Sequence, residues 1–372
     1  MIDRRNFIKK MAAAGLVSSM PSTLLPKETS SLFHQDSTKK KEMIWASLLH
    51  ISYNMWHDHA EVVWDDLPAD TYSADDYIPK TCMDSRRWAR GYRSFLTFDD
   101  DTWNAILQHM VDSGMNMVVM DLGDAIKYNS HPEIAVKNAW STDRLKAELT
   151  KMRKMGLEPI PKLNFASAHH AWLGEYSRMI ATKQYYTVCK NLINEVCDLF
   201  DNPRFFHLGM DEEITTHQKD YNYLVVRQRD LWWHDFYLLT EEVEKNNVRP
   251  WVWSDYAWHN LEIFFKKMPK SVLQSNWYYK ERFDVENMGG NALKTVMLYN
   301  ELDKAGYDQV PTGSNHQTPL SIDATVNYCK KELSSTHLYG FMTAPWRPTL
   351  PLCLDRHKEA IDQVGNAIKK FY

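Results

Sequence analysis

Phe205-Phe206-His207-Leu208-Gly209-Met210-Asp211-Glu212-Glu213 opens on an apolar run and ends on three consecutive acids. The run reads as a buried strand over 205–210, too short for a core helix. Acids gathered where such a strand ends are what a parallel α/β barrel places at its working face. The segments on either side repeat the unit. Strands are expected at 44–53, 116–122 and 158–164 before it, and at 249–255, 271–277, 308–313 and 338–344 after it. Helical patterns fall at 99–113, 142–155, 181–200, 222–246, 259–267, 290–305, 321–334 and 355–371. Strict alternation implies a parallel sheet with right-handed crossovers. Eight units close most simply into a (β/α)8 TIM barrel, an α/β single domain spanning residues 43–372. A doubly wound open sheet is the competing architecture, but no glycine-rich phosphate loop follows the first strand. The irregular stretch 54–97, rich in Asp and aromatics, is long for a connection and is expected to fold over one end of the domain.

Composition agrees with a large globular core. Of 372 residues, 44% are hydrophobic and 25% charged. A net charge of -4 points to neither nucleic acid nor a membrane surface as a partner. Fourteen Trp and nineteen Tyr are many for this length, and flat rings stack on the apolar faces of sugars, although most rings in any protein serve packing. Cys82, Cys189, Cys197, Cys329 and Cys353 are scattered and odd in number, which predicts free thiols. Arg4-Arg5, then Phe7, Lys9 and Lys10, then the apolar run Met11 to Val17, resemble a twin-arginine export signal over 1–26. An ordinary secretory signal is the alternative. Either leads to the periplasm or the exterior. Residues 27–42 read as a linker, and no later run is long enough to span a membrane.

Polar and aromatic residues collect at the expected strand ends. Asp121 and Asp124 follow the second strand, Asn164, His169 and His170 the third, and Trp253, Asp255 and Trp258 the fifth. The sixth ends on Asn276, Trp277 and Tyr278, the seventh on Asn315 and His316, and the eighth on Trp346 and Arg347. Breaking a glycosidic bond needs a proton for the leaving oxygen and a partner for an oxocarbenium-like sugar. Adjacent Asp211 and Glu212 suit paired work, because like charges in contact split their pKa values. Glu213 is as well placed to cap the next helix.

His207-Leu208-Gly209-Met210-Asp211-Glu212 resembles the H-x-G-G-D-E signature of glycoside hydrolase family 20, the β-N-acetylhexosaminidases. Asp121-Leu122-Gly123-Asp124, His131-Pro132-Glu133-Ile134-Ala135, Gly156-Leu157-Glu158-Pro159-Ile160-Pro161 and His169 follow that family's order. The resemblance runs over roughly residues 43 to 350. It implies a carbohydrate substrate and no cofactor, with Glu212 as general acid/base and Asp211 orienting a 2-acetamido group that attacks C1. It further implies that His207 supports the pair, that Trp253, Trp277 and Trp346 enclose the sugar, and that Asp255 holds hydroxyls. Asp124, Asn164, His169, Tyr278 and Asn315 complete the expected substrate-binding set. Several positions depart from the family. Tyr53 stands where a sugar-gripping arginine is usual, and Lys162 and Asn164 where Glu and Asp are. Ser314-Asn315-His316 replaces an acetamido-binding tyrosine, and Met210 replaces the second signature glycine. The chain thus reads as a divergent, barrel-only relative. Without an acetamido group, Asp255 or Asp124 would be base or nucleophile. Two other readings stay open: a carbohydrate-binding protein on an inactive barrel, and a metal-dependent hydrolase using His169, His170, His207 and the acids. No HExxH spacing supports a metal.

Overall fold

Eight parallel strands alternate with eight α-helices in a computed structural model that describes residues 42–58, 82, 91–218 and 221–372. The expected export signal, nearly all of the linker and much of the 54–97 stretch lie outside these residues. The strands are β1 (Ile44–His50), β2 (Met117–Asp121), β3 (Glu158–Lys162), β4 (Phe205–His207), β5 (Arg249–Trp253), β6 (Leu273–Ser275), β7 (Thr312–Gly313) and β8 (Gly340–Thr343). The helices are α1 (Asp100–Asp112), α2 (Thr142–Lys154), α3 (Lys183–Leu199), α4 (Arg229–Lys245), α5 (Tyr256–Lys267), α6 (Gly290–Lys304), α7 (Ser321–Glu332) and α8 (Leu354–Phe371). Strand order is β6-β5-β4-β3-β2-β1-β8-β7. The seam between β6 and β7 closes through bridges from Gln274 to Gln309 and from Trp277 to Thr312. The result is the expected (β/α)8 barrel.

Each strand is buried on both faces, as a parallel barrel requires. In β1, Ile44, Ala46 and Leu48 point into the barrel beside Met117, Val119, Ile160, Phe205 and Trp251. Trp45 and Leu49 point outward into the layer beneath the helices. Helix α1 meets that layer with Trp103, Ile106, Leu107 and Met110, the spacing of one helical face. Side-chain caps start the helices where the sequence places acceptors. Asp99 accepts from the Thr102 amide, Ser141 from Arg144 and Thr182 from Tyr185. The five cysteines are free thiols. No helix among the described residues is long and apolar enough to cross a membrane.

Several expected elements are shorter than the sequence predicts; the strand expected over 308–313 is only Thr312–Gly313. The strand expected over 205–210 stops at His207, and the helix expected from 222 begins at Arg229. Gly209, Met210 and Glu212 all take positive φ, at 72°, 71° and 48°, which a strand cannot contain. This turn aims Asp211 and Glu212 away from the ladder.

Barrel closure between β8 and β1 depends on a close approach. A Cβ at Gly340 would lie 2.1 Å from the Ile44 carbonyl oxygen and 2.6 Å from its Cα. Gly340→Ala should therefore push the strands apart and cost about 2 kcal/mol or more, the scale of overpacked cores. Thermal unfolding checks this, and an unchanged Tm would contradict the close contact.

Candidate active site

The C-terminal ends of the strands surround a pocket of about 550 Å3. One wall is aromatic: Trp253 at the end of β5, Trp277 and Tyr279 after β6, and Trp346 after β8. Trp277 and Tyr279 stack at 4.9 Å, and Trp253 and Trp346 lie 6.2 Å apart. Trp346 takes a left-handed backbone (φ 52°), which turns its indole to donate from Nε1 to the Tyr279 hydroxyl at 3.0 Å. The facing wall holds Tyr53, Met55, Trp56, His169 and His217, with His316 and Gln317 at the rim. Asp211 and Glu212 form the floor, and no lysine or arginine lines the pocket among the described residues.

Asn164 positions Asp211. Its Nδ2 donates to Asp211 Oδ1 at 2.9 Å, and its Oδ1 accepts from the Ala166 amide at 3.0 Å. A Cβ on Gly209 would fall 2.0 Å from that Asn164 oxygen, so only glycine permits the arrangement. Glu212 is held on two sides. Its amide donates to Asp255 Oδ2 at 2.9 Å. Its Oε2 lies 3.2 Å from His169 Nε2 and 3.1 Å from His217 Nδ1. Burial favours the neutral carboxyl, but the two imidazoles outweigh it and hold Glu212 well below the usual carboxylate range. Asp255 goes the other way. Burial, reinforced by Asp211 and Glu212, raises its pKa to about 8, far above an ordinary carboxyl, which favours a proton shared within the three-acid cluster.

Glu213 turns out of the pocket. It accepts from the Ser167 amide at 2.8 Å and hydroxyl at 2.6 Å, and pairs with the fully buried Arg227, which also meets Asp235 at 3.3 Å. The third acid anchors the loop between β4 and α4.

Six expected sugar contacts do not line the pocket: Asn164, which holds Asp211; Asp255, which holds Glu212; and His207, Asp124, Tyr278 and Asn315. His207 is inside the barrel, in a register row with His50, Asp121 and Lys162. It accepts from the Gly209 amide at 3.0 Å, stands 4.7 Å from the Trp253 ring, and is kept neutral by burial with Lys162 nearby. Asp124 is fully buried and accepts from Asn54 Nδ2 at 2.8 Å, tying the β1 and β2 loops together; burial lifts its pKa to about 7. Tyr278 faces away from the pocket and packs on Phe283, because neighbours in an extended segment point to opposite sides. The same alternation that puts Trp277 in the pocket puts Tyr279 there, a signal available in the sequence. Asn315 is drawn off by α8, donating to the Arg356 carbonyl and to Glu359; His316 and Gln317 reach the rim instead. Asp255 lies behind Glu212 rather than on the wall. The unforeseen residues are Met55, Trp56, His217, Tyr279 and Gln317. Trp56 and His217 sit in irregular segments that no periodicity marks.

The three ligand atoms of His169, Glu212 and His217 lie within 4.8 Å of one another, as in a metal site. The donor set does not suit a cation. Trp56 Nε1 donates to His169 Nδ1 at 2.6 Å, and an indole nitrogen can only donate. Nδ1 is therefore the bare nitrogen and Nε2 carries the hydrogen, which removes the lone pair a metal would need. His170 and His207, also considered as ligands, are buried apart with pKa values well below that of a free imidazole, chiefly through burial.

No protein-family model and no curated protein matches the sequence. Solved structures do match. A glycoside hydrolase family 20 exo-β-N-acetylglucosaminidase from Vibrio harveyi, in complex with N-acetylglucosamine, superposes with a TM-score of 0.54 at 11% identity, covering 87% of this chain and 54% of that one. An N-acetyl-β-hexosaminidase from Streptomyces plicatus gives 0.54 at 11%, covering 87% and 64%. A β-N-acetylhexosaminidase from Bacteroides fragilis gives 0.52 at 11%, covering 86% and 66%. The chain spans about half to two thirds of the length of these structures. At this identity the match establishes the barrel fold.

Removing the Glu213 carboxylate would leave the Arg227 guanidinium buried with a weaker partner. Glu213→Ala should lower stability by about 3–5 kcal/mol, as breaking a buried pair does. Chemical denaturation measures it, and a loss under about 1 kcal/mol would remove the anchoring role.

Proposed function

We propose that the protein is a glycoside hydrolase that removes a neutral 2-acetamido sugar with the substrate's own acetamido oxygen as nucleophile. One observation carries this reading: Asp211 and Glu212 are the only carboxylates lining the pocket among the described residues. A two-carboxylate mechanism needs a second acid across the sugar, about 5 Å away for retention or about 6.5–9.5 Å for inversion. Asp124 is buried elsewhere, and Asp255, its pKa raised by burial, is bonded to the Glu212 amide. No second acid stands across the pocket among the described residues, which supports a nucleophile supplied by the substrate.

The roles follow from the contacts. The aromatic wall stacks on the sugar ring. Asp211, held by Asn164, accepts from the acetamido N–H and makes its oxygen a better nucleophile. Tyr279 already accepts from Trp346, so its own hydrogen is free to point into the pocket and donate to that oxygen. As the C1–O bond breaks and the acetamido oxygen closes on C1, Glu212 gives its proton to the leaving oxygen. It then takes a proton from the water that opens the ring intermediate. A bound sugar excludes water from Glu212, and desolvation favours the protonated acid needed for the first step. A lining without a lysine or arginine among the described residues suits an uncharged sugar rather than a uronate or sulfated one. The export-type signal expected over residues 1–26 supports an activity in the periplasm or outside the cell.

Glu212→Gln should reduce kcat on a 2-acetamido disaccharide by about 100- to 10,000-fold while leaving product binding intact. Matched glycosides with and without the acetamido group test the nucleophile; equal turnover of both sinks substrate assistance. Binding without hydrolysis across the panel would instead identify an inactive barrel.

The His217 contact lowers the Glu212 pKa, and a general acid works only while protonated. His217→Gln should therefore raise that pKa and move the alkaline limb of kcat/KM upward by about one pH unit. A limb that stays put, or moves down, would remove His217 from the control of the acid.

A further inference from the structure

Trp56 and His169 form the least expected contact in the pocket. The indole N–H reaches His169 Nδ1 at 2.6 Å, and the rings lie 5.9 Å apart at 34°. The far side of the imidazole faces the acids. Its Nε2 is 3.4 Å from Asp211 Oδ2 and 3.2 Å from Glu212 Oε2, set between the two rather than aimed at either. The ring is 5% exposed, so water does not substitute for these partners.

We infer that Trp56 is a positioning residue that locks His169 as the neutral Nε2–H tautomer and so fixes which oxygen of Glu212 carries the working proton. An indole donates and never accepts. A proton on Nδ1 would meet the indole hydrogen head-on, so the imidazolium forms only if Trp56 moves. The charges around the ring pull the other way. Asp211 and Glu212 face it from the β4 turn, His217 from the turn beyond, and Lys162, His50 and His170 from β3, β1 and the adjoining loop. Burial opposes a charged His169, but the two carboxylates outweigh burial and raise its pKa. Without the indole, this histidine would be cationic over part of the working range. With it, the ring remains a donor to a carboxylate.

The consequence concerns Glu212, and rests on its reading as the acid/base. Oε2 is the atom both imidazoles approach. A proton on Oε2 would face the hydrogen on His169 Nε2 3.2 Å away, so the proton delivered to the leaving oxygen sits on Oε1. Trp56 also stacks on His217 at 4.6 Å and 28°, so one ring sets the geometry of both imidazoles around the acid.

Side-chain 15N spectra of the whole protein labelled with 15N-histidine test the tautomer without any substrate. His169→Gln identifies the resonances. The expected result is a bare Nδ1 and a protonated Nε2 that do not titrate between about pH 5 and about pH 8, where a free imidazole does. In Trp56→Phe, which keeps a ring to stack on His217 but lacks the N–H, His169 should titrate in that window. A cationic His169 would stabilise the Glu212 carboxylate, so the alkaline limb of kcat/KM in that variant should move down by about one pH unit. An Nδ1–H tautomer, a titrating His169 in the unsubstituted protein, or a non-titrating His169 in Trp56→Phe would overturn the inference. So would a shift of its Nε2 resonance on adding Zn2+. A protein inactive on every glycoside but with the expected spectra would refute the hydrolase reading and leave the tautomer lock standing.

Discussion

The approach of Asn164 to Gly209 governs the working end of this barrel. The Asn164 amide occupies the space that any side chain on residue 209 would need. That contact joins the ends of β3 and β4 and frees the chain to leave the sheet in three left-handed residues, two of them not glycine. Left-handed Met210 and Glu212 each cost on the order of 1 kcal/mol or more. The surroundings hold them there: the Arg227 network below, the Asp255 carboxylate on the Glu212 amide, and Asn164 on Asp211. Strain of this kind persists where it places functional groups, and here it presents two carboxylates to one cavity.

Beneath the floor, the barrel interior changes from apolar to polar. The lower rows hold Ile44, Ala46, Met117, Val119 and Ile160. The last row is His50, Asp121, Lys162 and His207. Lys162 and Asp121 are paired there, and burial keeps His50 and His207 neutral. The row thus satisfies its own charge internally. It carries the turn through the His207–Gly209 bond and backs the pocket without reaching the sugar space.

The electrostatics of the floor come from burial acting unequally on three acids within one turn and its neighbour. Burial and its acidic neighbours raise the pKa of Asp255, whereas two imidazoles lower that of Glu212. In the proposed reaction Glu212 becomes a proton donor when a ligand removes its water, which would couple chemistry to occupancy of the pocket. The proposed role of the Trp56 indole is to set the remaining variable, the state of His169.

Strand and helix periodicity, glycine stops and capping residues were enough to determine eight β/α units, because each depends on spacing within a short segment. The Asp-Glu pair at the end of the fourth strand, and Trp253, Trp277 and Trp346 at three others, were legible for the same reason. Tertiary structure decided which neighbours face the cavity. Asp124, His207, Tyr278 and Asn315 have the right chemistry at the right strand ends, yet each is claimed by another partner: Asn54, the barrel row, Phe283 and α8. Tyr279 was within reach of the alternation rule. Trp56 and His217 were not, since they lie in irregular segments with no period. Their meeting at Glu212, 156 and 5 residues away along the chain, is set by how loops from two strands pack, which no local pattern encodes.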